Sequence, residues 1–399
     1  MAATLSDADL QGDASAGTPL SMAPDRCEAL DATRFLAVLL LIPFHTAAIF
    51  YRGDLGSFYL TAPSSSAVLS AFVLLVHQWH MPLFFLLAGA ASWHSLQQRT
   101  AVSFLRQRLQ RLLLPLVVGT LLLVPPQVYV HAVQSGEPVG GFLRFYPHFF
   151  DGVRPAGHFE WGHLWFLAYL LAITLAFLPL MQWLTRPGRG APGWPTAGCP
   201  AWVALLLPAL PLMLSEALLR PRWPGFQNLV DDWANVSLYG LYFLGGFLFC
   251  HLAWPWQSLD RFRWPLVLLA GLTMGVFAAL ELSGAAPALD SSWPARLFQA
   301  FRGANTWYVV LALLALARRF LAAPGTPLHT GAWAGMPLYL LHQPVLVAVG
   351  WVVVPLPLPL ASRVLLIAGV SLLVCAAVIG GLLPRLGRAG QCFGMPTPA

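Results

Sequence analysis

An ionisable ring lies well inside an apolar segment near the beginning of the chain, LDATRFLAVLLLIPFHTAAIF (residues 30–50). Arg34 stands at the front of this segment and His45 stands eleven residues later. In a helix, eleven steps of about 100° end within roughly 20° of complete turns, so both side chains share one face, roughly 16 Å apart along the axis. Imidazole can act as a general base near neutral pH. Alternatively, Arg34 anchors the helix at an interface and His45 is a hydrogen-bonded packing residue.

A second histidine lies at a similar position in the segment MPLYLLHQPVLVAV (336–349). His342 is about eight residues, or roughly 12 Å, into an apolar run. That depth is close to the one expected for His45, so the two rings could share one cavity. A hydrogen-bonded histidine that packs two helices together is the alternative for this segment. Proximity of the two rings does not follow from the sequence.

Two other polar clusters could bind substrates. Arg108 and Arg111 in RLQRLLLP are three residues apart and share a face if this turn is helical. Paired guanidinium groups suit phosphate oxygens, although a plain positively charged anchor has the same composition. In HFEWGHLWFLAYLL (158–171), histidines and a glutamate are interleaved with tryptophans. Their spacing matches no standard metal site. Aromatic faces with polar edges suit a sugar, and tryptophan is also common at membrane interfaces.

The composition places these residues in a membrane protein. The chain has 399 residues, of which 58% are hydrophobic and only 10% are charged, with a mean hydropathy of +0.68. Soluble proteins carry roughly a quarter charged residues. The formal net charge is +6, and every strongly basic residue in the chain is an arginine. In a chain this apolar, positive charges in the loops that orient the helices explain the net charge better than binding to nucleic acid does. The five cysteines are scattered, which argues against a disulfide framework or a zinc site.

The chemistry-bearing residues must then be held by membrane-spanning helices, each of about 20 residues. We predict an all-α polytopic bundle with ten spans, near 34–51, 67–92, 112–131, 161–183, 201–219, 236–253, 265–282, 303–320, 334–354 and 361–383. If the N- and C-termini are cytoplasmic, more arginines lie in the inner loops and span ends than in the outer ones, and this is the orientation that the positive-inside rule favours. Arg302 is counted in an outer loop. We expect a disordered cytoplasmic tail over 1–27, a membrane domain over 28–388 and a C-terminal tail over 389–399.

Taken in order, six segments resemble the type-3 membrane acyltransferases, and within them the branch of glucans biosynthesis protein C. They are LDATRFLAVLLLIPFHTAAIF, HMPLFFLLAG, RLQRLLLP, PPQVYV, GHLWFLAYL and YLLHQPVLV. The resemblance covers roughly residues 28–350. It implies transfer of an acyl group, of the acetyl or succinyl class, from a cytoplasmic acyl-CoA to a hydroxyl of an extracytoplasmic glucan, polysaccharide or other glycan. It also implies a bacterial inner-membrane location.

The resemblance assigns roles to particular residues. His45 would be the catalytic base, and His342, a second candidate catalytic residue, would help to shape the acceptor side. Donor phosphates would be held by three arginines, Arg34, Arg108 and Arg111. The acceptor would be bound by His163 and Trp165, and the polar and aromatic cluster of HFEWGHLWFLAYLL adds Glu160 as a further candidate for acceptor binding. No metal and no permanently bound cofactor are expected. The alternatives are a proton-coupled transporter or flippase that uses the intramembrane histidines as a relay, and a membrane sensor without enzymatic activity.

Overall fold

A computed structural model describes residues 24–53, 58–154, 156–186, 200–225, 227–252, 254–321 and 331–396. In this described part of the chain, all the regular secondary structure is helical. Ten of the described helices are long and apolar enough to cross a membrane. The predicted multi-pass α-helical fold is therefore confirmed. We name the ten spans α1 (Ala29–Ile49), α2 (Ala67–Gln98), α3 (Ala101–Gln134), α4 (Gly162–Leu184), α5 (Ala201–Leu219), α6 (Trp233–Leu252), α7 (Arg263–Leu282), α8 (Trp293–Phe320), α9 (Gly335–Val353) and α10 (Leu360–Arg385).

Shorter helices connect or interrupt these spans. Helices Phe142–His148, Trp254–Arg261 and Gly387–Phe393 lie outside the ten spans, and the last of them begins two residues before the predicted C-terminal tail and continues into it. The expected N-terminal tail, 1–27, lies mostly outside the described residues. Its last four residues begin the helix Pro24–Leu39, which continues into the first span.

The first span is broken beside His45. A helix over Pro24–Leu39 ends, Leu40 forms a turn, and a second helix covers Leu41–Ile49. Pro43 explains the break, because its nitrogen has no hydrogen to donate to the carbonyl of Leu39. Leu40 itself stays right-handed helical, with a φ of −62° and a ψ of −20°, so the interruption removes a hydrogen bond on the turn before His45.

Two spans begin about ten residues earlier than the hydropathy pattern predicts. Span α3 begins at Ala101, where the Thr100 hydroxyl accepts a hydrogen bond from the backbone N–H of Ser103 at 3.3 Å. Span α8 begins at Trp293 rather than near 303. In both helices, arginines in the first turns lower the hydropathy of the window. Arg302 thus lies within a helix, and its assignment to an outer loop was wrong.

Glycines allow α2 and α6 to pack with their backbones in contact, as the small residues of FFLLAGAAS predict. A Cβ atom placed on Gly89 would lie 1.8 Å from the carbonyl oxygen of Phe243, and one on Gly246 would lie 1.8 Å from that of Leu86. Neither distance is compatible with a side chain. This contact fixes α2, which carries part of the wall of the site described below.

We therefore expect Gly89→Ala to force α2 and α6 apart and to lower the free energy of unfolding by about 1–3 kcal/mol, the usual cost of overpacking. Thermal unfolding of the purified protein in detergent would measure the loss. Gly271→Ala is the control, because a Cβ atom there meets no atom within 4 Å. Equal unfolding temperatures for the two variants would contradict the close packing.

Candidate functional site

The two histidines singled out in the sequence meet in the structure. His45 Nδ1 lies 3.1 Å from His342 Nε2, and the ring centroids are 4.9 Å apart. The break in α1 presents His45, and α9 presents His342. Residues 297 positions apart in the chain are thus brought into one hydrogen bond.

Both rings line a cavity of about 120 Å³, which we call the histidine cavity. Trp165 and Phe58 also contribute to its wall, and the Phe58 ring stacks on His45 at 5.6 Å. In total, the cavity is lined by five histidines: His45, His77, His80, His163 and His342. His77 and His80 were not among the residues predicted from the sequence. Their three-residue spacing in VHQWH, which puts both on one face of α2, is the signal that could have found them.

Hydrogen bonds fix the proton positions on the two central rings. His342 Nδ1 lies 2.6 Å from the carbonyl oxygen of Tyr339, which can only accept, so this nitrogen carries the hydrogen and Nε2 is left as an acceptor. The acceptors near His45 Nδ1 are His342 Nε2 and the carbonyl oxygen of Leu41, at 3.2 Å. His45 Nδ1 must therefore be a donor. Its Nε2 keeps a lone pair and has no hydrogen-bond partner among the described residues.

This arrangement is suited to proton abstraction. A neutral His45 with a free lone pair on Nε2 can accept a proton from a group bound in the cavity. The imidazolium that forms would still donate through Nδ1 to His342, which is held in turn by a backbone carbonyl. A base oriented by a third group is the usual arrangement for activating a nucleophile.

His163 presents a second unpaired acceptor. Its Nε2 lies 3.1 Å from the carbonyl oxygen of Leu340, so Nε2 carries the hydrogen and Nδ1 has the lone pair. That Nδ1 is buried and has no hydrogen-bond partner within the described residues. The Tyr339 hydroxyl donates to the backbone carbonyl of His163 and so ties α4 to α9. A bound hydroxyl group could satisfy the buried Nδ1.

Glu160 does not join the other two residues predicted to bind an acceptor. Its carboxylate is held by Arg154 at 3.1 Å and does not line the histidine cavity, whereas His163 and Trp165 do. Burial, together with the Glu160 carboxylate, raises the pKa of Tyr59 above its usual range. A Cβ atom on Gly162 would lie only 2.4 Å from the Tyr59 hydroxyl, and Gly162 has a φ of +50°. Both features favour glycine at this position. Glu160 thus belongs to a supporting ion pair beside the loop that leads into α4.

The three arginines that were predicted to bind the acyl donor lie near one another, outside the histidine cavity. Arg108 donates to the Ser92 hydroxyl at 2.8 Å and lies over the Phe104 ring, within electrostatic reach of both Arg34 and Arg111. Arg34 is paired with Asp31 at 2.9 Å. Of the described residues that line the histidine cavity, none is an arginine. The cluster contains more cations than anions, and its site is separate from the cavity.

The basic turn is not a regular α-helix. Leu109–Leu113 is a π-helical turn, so Arg108 lies at its start and Arg111 inside it. The two side chains differ accordingly: Arg111 is exposed and Arg108 is partly buried. π turns inside α-helices are frequent at functional sites. Within the described ranges, no group of three or more His, Cys, Asp or Glu side chains is placed to hold a metal ion.

A family model described as an acyltransferase domain matches residues 28–382, which include all but the last three residues of the ten spans. The chain belongs to the type-3 acyltransferase family. It is therefore an enzyme, and the transporter and sensor alternatives are disfavoured.

Curated relatives of this acyltransferase are named glucans biosynthesis protein C. Those from Salmonella agona (strain SL483) and Salmonella paratyphi A (strain ATCC 9150 / SARB42) are each 22% identical over 335 residues, covering 82% of this chain and 84% of theirs. No solved structure matches the chain significantly.

The Tyr339 hydroxyl provides a test of how the site is held. Tyr339→Phe keeps the ring but leaves the His163 carbonyl without this donor, so we expect a loss of about 1–3 kcal/mol in the free energy of unfolding. Tyr242→Phe is the matched control, because the buried Tyr242 hydroxyl has no hydrogen-bond partner in the described part of the chain. Thermal unfolding would compare them. If the control lost as much stability as Tyr339→Phe, the Tyr339 bond would not hold α4 to α9.

Proposed function

We propose that this acyltransferase moves an acyl group of the acetyl or succinyl class from a cytoplasmic acyl-CoA to a hydroxyl of an extracytoplasmic glycan. The observation that carries the proposal is the contact between His45 and His342 in the histidine cavity, from which we infer a free lone pair on His45 Nε2. The names of the curated relatives support a glucan as the acceptor. A bacterial inner membrane, with both termini in the cytoplasm, fits the arginine distribution.

In this reaction, His45 Nε2 takes the proton of the acceptor hydroxyl as its oxygen attacks the thioester carbonyl. The new carbon–oxygen bond forms and the carbon–sulfur bond breaks. The proton then passes from His45 to the departing thiolate, so that free CoA leaves as a thiol. His342 receives the hydrogen bond of the transient imidazolium and positions the ring. His163 Nδ1 and Trp165 hold the acceptor.

The arginine cluster of Arg34, Arg108 and Arg111 would hold the phosphates of the donor nucleotide. Guanidinium groups bind phosphate oxygens in pairs of hydrogen bonds. Along the first helix, Arg34 and His45 are separated by a rise of roughly 16 Å. A donor anchored at the cluster must therefore span that distance with its extended arm to present the thioester. Such positioning replaces much of the entropic cost of bringing two substrates together.

His45→Ala should lower kcat for acyl transfer on the order of 10²–10⁴-fold, the usual contribution of a general base. His131→Ala is the control, because this histidine lies on α3 and does not line the cavity. Transfer of a radiolabelled acyl group by purified protein in lipid nanodiscs would be measured. Unchanged folding, checked by thermal unfolding, must accompany the loss. A variant that kept activity within a few-fold of the parent would exclude His45 as the base.

Arg108→Gln and Arg111→Gln should each raise KM for acyl-CoA about tenfold or more, because a charged hydrogen bond to phosphate is worth on the order of 1.5–3 kcal/mol. Arg106→Gln, an exposed neighbour in the same region, is the control. The same kinetics measured with an acyl thioester of N-acetylcysteamine, which has no phosphates, should show no difference between variants and parent. An equal effect on both donors would mean that these arginines do not bind the phosphates.

A further inference from the structure

A second cavity, of about 140 Å³, adjoins the histidine cavity and has no role in the reaction described above. We call it the arginine pocket. His77 and Gln227 line both cavities and so lie at their junction. Leu289, a residue that is 44% exposed, lines the pocket from the loop between α7 and α8. The rest of its wall is largely polar: Gln78, Glu216, Arg220, Asn235, Arg302 and Thr306.

One of the two arginines in this pocket is neutralised. Arg220 donates to both carboxylate oxygens of Glu216, with Nη2 at 2.7 Å and Nε at 3.0 Å, and also to Asn235 at 2.9 Å. Both members of the pair are buried, with side chains 9% and 5% exposed. A bidentate pair of this kind leaves little charge for a ligand.

The other arginine, Arg302, has no carboxylate partner among the residues that the structure describes. Arg302 Nη1 donates to the Gln299 side-chain oxygen at 2.8 Å, and Nε and Nη2 approach that of Gln78 at 3.4 Å. Gln78 is held in this orientation because its amide group donates to Thr306 at 2.7 Å. No ion pair of the described residues includes Arg302. Glu216, which is paired with Arg220, and Glu281 act on Arg302 only at longer range, and the Arg220 cation opposes them. A partly buried cation that donates its hydrogen bonds to neutral amides, without a carboxylate in contact, favours the binding of a further anion.

The loop at the junction is strained and firmly held. Gln227 and Leu229 have φ values of 57° and 66°, in the left-handed region that residues other than glycine rarely adopt. The Gln227 N–H donates to Asp232 at 2.9 Å, and its carbonyl accepts from Trp161 at 2.8 Å. The Leu229 N–H donates to the Tyr169 hydroxyl at 3.0 Å. Such conformations persist only where the surroundings fix them, and they cluster at binding sites.

We propose that the arginine pocket binds a carboxylate or phosphate group of a substrate whose reacting part lies in the histidine cavity, with Arg302 as the partner of that anion. Two sources have the required chemistry. One is the free carboxylate of a dicarboxylic acyl group that reaches past His45, and the other is an anionic substituent on the acceptor. The identity of the source rests on the proposed acyl transfer, whereas anion binding itself does not.

Direct binding is the first arm of the test. Parent protein, Arg302→Gln and Arg296→Gln, all in nanodiscs, are titrated with succinate, with inorganic phosphate and, as a neutral comparison, with succinamide. Arg296 lies six residues earlier in α8 and does not line the pocket, which makes it the matched control. We expect Arg302→Gln to weaken the binding of at least one anion tenfold or more, with no change for Arg296→Gln or for succinamide. Equal anion binding by all three proteins would overturn the proposal.

Transfer kinetics identify the source of the anion. KM is measured for acetyl-CoA and succinyl-CoA with a neutral oligosaccharide, and then for neutral and phosphorylated oligosaccharides with one donor. A rise of about tenfold in Arg302→Gln for succinyl-CoA alone assigns the pocket to the acyl group. A rise for the phosphorylated oligosaccharide alone assigns it to the acceptor. Equal effects on charged and neutral substrates would contradict the proposal.

The two hypotheses fail in different ways. If the parent protein transferred no acyl group from any donor and yet bound anions through Arg302, acyl transfer from acyl-CoA would be wrong and the anion site would stand. If transfer proceeded and Arg302→Gln neither weakened anion binding nor discriminated between charged and neutral substrates, the anion site would be wrong and the proposed function would stand.

Discussion

The hydrogen bond between His45 and His342 is the interaction on which the site depends. The Tyr339 carbonyl forces the proton of His342 onto Nδ1, and this makes its Nε2 an acceptor. That acceptor, 3.1 Å from His45 Nδ1, places the proton of His45 there and leaves the opposite nitrogen free to act as a base. A backbone carbonyl thus sets, through a second ring, the protonation of the ring that we propose as the catalytic base. The chain needs no carboxylate at this position, where an isolated charge would be costly to bury.

Several features of the bundle hold these rings in place. Pro43 breaks α1 immediately before His45, and the Tyr339 hydroxyl joins α9 to α4 through the carbonyl of His163. The glycine contact between α2 and α6 fixes the wall that carries His77 and His80. Because each ring comes from a different helix or a different turn, the geometry of the site is a property of the whole bundle.

The sequence predicts the ten spans because runs of about 20 apolar residues are a local signal. It also predicts similar depths for His45 and His342, since depth follows from counting residues along a helix. It does not predict that the rings touch, because helix neighbours are set by packing between distant segments. Glu160 was expected in the acceptor site because it lies in the same histidine- and tryptophan-rich segment as His163 and Trp165, but Arg154 pairs with its carboxylate outside the histidine cavity. Arg302 was taken as a loop charge because a window average cannot distinguish an arginine in a loop from one that lines a polar pocket.

The central claim is that His45 is neutral, with its proton on Nδ1 and a free lone pair on Nε2. Nitrogen NMR of protein labelled with ¹⁵N-histidine, with His45 assigned by comparison with His45→Gln, reports the protonation of each ring nitrogen directly. We predict a protonated Nδ1 and an unprotonated Nε2 for His45 in the unliganded enzyme. A proton on Nε2 of that ring would contradict the account.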